Sequence, residues 1–244
     1  MKIVATIEAR MTSSRLPGKV LMPVAGITML GCLVRRLRAV KSIDCIVLAT
    51  TVNKADDPLV ALAKELEIEA FRGDENDVMN RVIGAASSVG ADVIVEITGD
   101  CPVVDPEIVE QTIQMFKANS ADYVSNAHIR SYPDGMDTQV FSLETLKRSA
   151  AMTDKLLDHE HVTLHIRNHP ELFTPVHLVA PPEIFWPELG LTLDEPSDYI
   201  ILKKIIEYFE PTNPLFSCID VVRLLRQNLD WVEINNAVVR KGDS

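Results

Sequence analysis

Short apolar runs alternate with stretches of helical periodicity along the first half of this chain, and that rhythm restricts the fold more than any other feature. Lys2–Ile7, Ile46–Thr50, Glu69–Phe71, Asp92–Thr98 and Tyr123–Ser125 read as strands. Helical patterns fall between them, over about 28–40, 57–67, 74–89 and 105–118. Asp57-Pro58 and Asp105-Pro106 each set an N-cap carboxylate before a proline in the first helical turn, and Gly90 stops the third helix. Strands and helices spaced in this way make βαβ units. The fold class is therefore α/β: a mostly parallel sheet with helices on both faces.

The rhythm loosens beyond residue 125. A polar, turn-rich segment over 126–137 precedes a strand at Thr138–Phe141, a helix capped by Ser142 and a further helix over 155–168. Val176–Val179 and Leu191–Leu193 read as short strands. Helices over 197–209 and 218–227 follow, the second capped by Ser217 with Asp220 at its third position. Residues 1–244 are expected to form a single domain with an inserted excursion at about 126–185.

A formal net charge of -11 argues against nucleic acid and anionic membrane as partners. No apolar run approaches the ~20 residues that span a bilayer, and the chain opens on a strand rather than a signal peptide. Four cysteines lie scattered without a C-x-x-C pair, as in a reducing cytoplasmic setting.

Against that acidic balance, residues 9–43 hold seven basic side chains and no acidic one. Arg10, Arg15 and Lys19 fall on a loop that leaves the first strand and ends in Pro17-Gly18. Ligands of open parallel sheets sit outside the carboxyl ends of the strands, where two other strands finish in Gly99-Asp100 and Asp194. A basic loop facing two carboxylates is how Mg²⁺ and a triphosphate are held, with phosphate and water as the remaining ligands. Taken singly, Arg10 and Arg15 read as solvated charges, Gly18 as a turn residue, and Asp100 and Asp194 as caps; their joint position at strand ends favours the ligand site. Neither G-x-x-x-x-G-K-[ST] nor G-x-G-x-x-G follows the first strand, which removes the main support for P-loop and dinucleotide-binding readings.

Two further groups stand out. His161, His165 and His169 would share one face if 155–168 were a continuous helix, lining a cleft, a subunit contact or, least in keeping with ligand spacing, a zinc ion. Asp134-Gly135-Met136-Asp137 is an acidic turn, suited to sugar hydroxyls or a cation or else simply exposed. Cys101 has no evident base beside it and is not expected to be a nucleophile.

Ala9-Arg10-Met11-Thr12-Ser13-Ser14-Arg15-Leu16-Pro17-Gly18-Lys19 resembles the N-terminal signature of the cytidylyltransferases that activate acidic sugars, among them the CMP-Kdo synthetases and acylneuraminate cytidylyltransferases. With Thr98-Gly99-Asp100-Cys101-Pro102, Asp134-Gly135-Met136-Asp137, Glu160-His161-Val162-Thr163 and Leu191–Asp198, the chain looks like the spore coat polysaccharide biosynthesis protein F branch. The resemblance spans nearly the whole chain. It implies a three-layer α/β/α sandwich of the nucleotide-diphospho-sugar transferase type, and transfer of a cytidylyl group from CTP to a sugar with release of pyrophosphate. It also implies Mg²⁺ on Asp100 and Asp194, and Arg15, Lys19 and Asp100 as the catalytic set. Ala9, Arg10, Ser13, Arg15, Lys19, Gly73, Thr98, Asp134, Asp137 and His161 would bind substrate. The excursion would cover the acceptor and contribute to a homodimer. A sugar 1-phosphate acceptor, another nucleotide, or a non-catalytic nucleotide-binding role are the alternatives. Glu8 departs from the proline or glutamine common before Ala-Arg, Glu96 from the arginine frequent in this branch, and Thr98 from the glutamine of CMP-Kdo synthetases.

Overall fold

The computed structural model describes residues 1–240. Seven of its strands form one sheet: β1 (Ile3–Glu8), β4 (Cys45–Thr51), β5 (Glu69–Gly73), β6 (Val93–Thr98), β7 (Tyr123–Ser125), β8 (Gln139–Ser142) and β9 (Pro175–His177). A small hairpin, β2 (Pro23–Val24) with β3 (Ile27–Thr28), stands apart. The order is β5-β4-β1-β6-β8-β7-β9. Every pairing in this sheet is parallel except those of β8, which runs against both β6 and β7.

Alternation along β1 divides the core. Ile3, Ala5 and Ile7 pack with α1 (Met29–Leu37), α2 (Asp57–Glu65) and α4 (Pro106–Ala118). Val4 packs on the other face with α3 (Val78–Ser88), α5 (Leu143–Ala150) and α7 (Leu164–Asn168). A third cluster gathers α8 (Pro196–Phe209) and α9 (Cys218–Gln227) around Tyr132, Met136 and Leu191. The sheet thus lies between two helical layers, as its period-2 apolar pattern requires. Residues 126–185 give β8 and β9 to the sheet and α5, α6 (Leu156–Glu160) and α7 to one face.

Several expectations change. The α2 cap falls on Asp56, not Asp57, and its side chain caps nothing. Instead it accepts Met11 N–H at 2.7 Å and the Thr51 hydroxyl, anchoring the start of the basic loop. Leu191–Leu193 is not a strand. One bridge between Asp134 and Gly190 is all the ladder it forms, and its amides go to loop carbonyls: Leu191 to Asp134 at 2.7 Å and Leu193 to Asp100 at 2.8 Å. The helix over 155–168 is broken, because His161 leaves helical geometry (φ -108°, ψ 57°) and β-branched Val162 and Thr163 follow. His161 therefore parts from the other two, while His165 and His169 keep their rings together with centroids 4.5 Å apart. His165 turns inward to the Ser149 hydroxyl at 3.1 Å, while His161 stays exposed.

Candidate active site

The carboxyl ends of β1 and β6 open into a cavity of about 710 Å³. Its mouth is built from the basic loop and two loops that meet it. The loop closes on itself where Gly18 N–H donates to the Met11 carbonyl at 3.0 Å, bringing Lys19 into a short 3-10 turn. The Lys19 ammonium donates to Asp100 at 2.8 Å and to Asp194 at 3.1 Å. Arg15 reaches Asp194 at 2.8 Å and the Val239 carbonyl at 2.9 Å. Burial opposes charge on Lys19, yet Asp100 and Asp194 outweigh it and hold the ammonium above its usual pKa. Burial likewise opposes charge on Asp194, and Lys19 with Arg15 keeps its carboxyl below the usual range.

Asp194 is positioned by its own helix. In the capping box of α8, the buried Asp198 carboxylate accepts the amides of Asp194 at 3.0 Å and Glu195 at 2.8 Å. The other Asp198 oxygen accepts from Asn235 at 2.7 Å and Arg240 at 2.9 Å. Arg240 also approaches Asp134 at 3.4 Å and bonds Thr192, with its guanidinium lying against Gly190 where no side chain intervenes. Gly135, at φ +100°, turns the acidic loop against the Leu191 backbone so closely that a Cβ would come within 2.7 Å of it.

Of the residues singled out from sequence, Ala9, Arg10, Ser13, Arg15, Lys19, Thr98, Asp100, Asp134, Asp137, His161 and Asp194 all line this one cavity. Arg10 is paired with Glu75 at 3.2 Å, beside the Thr12 hydroxyl on the same carboxylate. Gly73 does not reach the cavity wall; it ends β5 against the Arg81 side chain. Asp137 is pushed up to about 7, first by burial and then by Asp134. The Cys101 thiol is pushed well up by burial, which leaves it unreactive. Asp56, Gln139, Arg81, Arg167 and Arg240 join the site without a sequence motif to announce them. A charged residue inside an apolar helical pattern, such as Arg81 between Met79, Val82 and Ala85, was the available signal; nothing local marks Arg240.

Asp100 and Asp194 offer only hard carboxylate oxygens, a donor set that suits Mg²⁺. Among the described residues no three His, Cys, Asp or Glu side chains converge on a stand-alone ion cage. An ion held here would share its ligands with phosphate.

The mostly parallel sheet, with the basic loop after β1, Asp100 after β6 and Asp194 before α8 gathered at its carboxyl edge, has the fold of a nucleotidyltransferase. The chain belongs to the cytidylyltransferase family, whose sequence model, described as "Cytidylyltransferase", matches residues 4–215. It is 36% identical over 235 residues to the spore coat polysaccharide biosynthesis protein SpsF of Bacillus subtilis, covering 93% of this chain and 95% of that one. It is 32% identical over 235 residues to the uncharacterized protein MJ1063 of Methanocaldococcus jannaschii, covering 96% and 92%. The solved structure of a cytidylyltransferase from Leptospira borgpetersenii superposes with a TM-score of 0.91 at 31% identity, covering 98% of this chain and 99% of that one. Among the described residues no helix is long and apolar enough to cross a membrane.

Proposed function

We propose that this chain transfers the cytidylyl group of CTP to a hydroxyl of an acidic or otherwise unusual sugar, releasing pyrophosphate, in the cytoplasmic supply of activated sugar for surface polysaccharide. The observation that carries this reading is the Lys19 ammonium between Asp100 and Asp194, with Arg15 on the same carboxylate. In-line attack on an α-phosphate asks a protein for alignment and charge neutralisation rather than covalent chemistry. Arg10, Ser13, Arg15 and Lys19 would hold the triphosphate. Each of the three cations has a carboxylate partner in place, so a phosphate need only exchange one anion for another. Asp100 and Asp194 would hold Mg²⁺, which supplies charge stabilisation at the phosphate when bound. Asp134, Asp137 and His161 line the same cavity and would face the acceptor. With its carboxyl pushed up to about 7, Asp137 can both donate to and accept from a sugar hydroxyl near neutral pH. Exposed Met152, Leu156 and Leu157 support a homodimer through the excursion, which light scattering would test.

The deciding experiment is pyrophosphate release from a panel of nucleoside triphosphates with Mg²⁺, with and without free sugars and sugar 1-phosphates. Turnover with CTP and a free sugar is expected. Turnover confined to sugar 1-phosphates or to another nucleotide would overturn the stated reaction, and CTP binding without turnover would indicate a non-catalytic binding protein.

A further inference from the structure

The inner wall of the cavity carries a pair of groups that the transfer described above leaves unused. Glu8 ends β1 and Glu96 lies in β6, on adjacent parallel strands and on the same face, since Glu8 pairs with Thr98 and Thr6 with Glu96. Both line the cavity. Glu96 is supported: Gln139 accepts the hydroxyls of Tyr123 and Thr163 on its oxygen, which turns its amide nitrogen to donate to Glu96. Glu8 has only the Thr6 hydroxyl and the Arg81 charge near it. Its two carboxylate oxygens are buried, and neither accepts a hydrogen bond from any described residue.

The neighbouring cations do not fill that role. Arg81, on α3, directs its Nη1 to the carbonyls of Asp74 and Glu75 at 2.5 and 3.2 Å, and the Arg167 Nε on α7 is itself buried without an acceptor. Burial, with Glu96 beside it, pushes the Glu8 carboxyl well up. The Glu8 end of this wall is short of hydrogen-bond donors. What it lacks is a group that brings more than one hydrogen to acceptor oxygens.

We propose that Glu8 and Glu96 form a receptor for an amino group of the ligand, with Glu8 accepting its N–H bonds. Two ligands carry that chemistry: an aminopyrimidine base through its exocyclic nitrogen, and an acceptor sugar through an amino substituent. The identity of these two ligands rests on the proposed function; the receptor itself rests on the unsupported carboxylate.

The experiment has one arm for each source. Wild type, Glu8→Leu and Glu8→Gln are titrated calorimetrically with CTP and with UTP in the presence of Mg²⁺. The same proteins are then assayed with CTP and matched sugar acids that differ by one hydroxyl-to-amino exchange, 3-deoxy-manno-octulosonate and its 8-amino derivative. In at least one arm the wild type should favour the amino-bearing member by about 5-fold or more, the scale of a buried hydrogen bond. Glu8→Leu should abolish that preference, and Glu8→Gln, which keeps one acceptor oxygen, should retain part of it. The responding arm names the source. Should Glu8→Leu fail to fold in thermal melts, Glu96→Gln makes the same comparison. A wild type without preference in either arm, or a preference that survives these substitutions, overturns the receptor alone. A wild type that binds no nucleotide overturns it together with the proposed function.

Discussion

The mouth and the inner wall of the cavity handle charge in opposite ways. At the mouth, Lys19 and Arg15 are matched to Asp100 and Asp194 within 3.1 Å, and Asp198 fixes the backbone beneath them. At the inner wall two carboxylates lie side by side, and one accepts no hydrogen bond from any described residue. The first arrangement is complete before a ligand arrives and lets it substitute one partner for another. The second is completed only by a ligand of suitable chemistry. On the proposed function, reaction type belongs to the matched end and selectivity to the unmatched one.

That contrast can be broken at either end. The largest effect is expected from Asp194→Ala, which removes the acid shared by Arg15, Lys19 and the proposed Mg²⁺. Pyrophosphate release should fall roughly 10³-fold, as for other losses of pre-set transition-state electrostatics. Asp100→Ala should fall similarly, and near-wild-type activity in both variants would refute the metal assignment. Arg240→Ala comes next. Through Asp198 and Asp134 it should slow turnover by about 10-fold, as expected of a small misplacement of reacting groups. Arg240→Lys should recover part of that, while equal damage from both variants would mark a packing role only.

The smallest effect sharpens the comparison through stability. Because Glu8 is raised in the folded protein, the folded state binds more protons than the unfolded one once pH exceeds the usual carboxylate range near 4.3. Stability contributed by the protonated group is therefore lost as pH rises through that window, and Asp137, pushed up to about 7, adds a loss of the same sign. The melting temperature of wild type should decline between about pH 5 and 7.5 by more than that of Glu8→Gln, by roughly 3 °C. Parallel curves would show that Glu8 is charged and supported in the fold.

Much of this was legible in the sequence. The helix-strand alternation to residue 125 predicts the order of elements, because each needs only its own apolar period and caps. Ser217 with Asp220 and Asp105-Pro106 behave as read. Leu191–Leu193 was less legible: its apolar content reports burial in the α8–α9 cluster, while its amides answer to Asp100 and Asp134, partners distant in sequence. The same limit applies within the site. Asp100 and the basic loop can be placed by counting, since a parallel sheet gathers them at one edge, whereas Asp194 follows a segment that is not a strand. Arg240 cannot, because it meets Asp198 only through the tertiary return of the chain, 42 residues on. Nor does the helix over 155–168 announce its break, which sets Thr163 on Gln139 and thereby supports Glu96.

Gly190 has no chemistry of its own, yet the Arg240 guanidinium occupies the place a side chain would take there. Any replacement, even by alanine, would displace a cation from Asp134 and Asp198 without altering a single charged residue. Substitutions at this position would thus reach the active site through a shifted guanidinium while looking, on paper, like conservative changes in a loop.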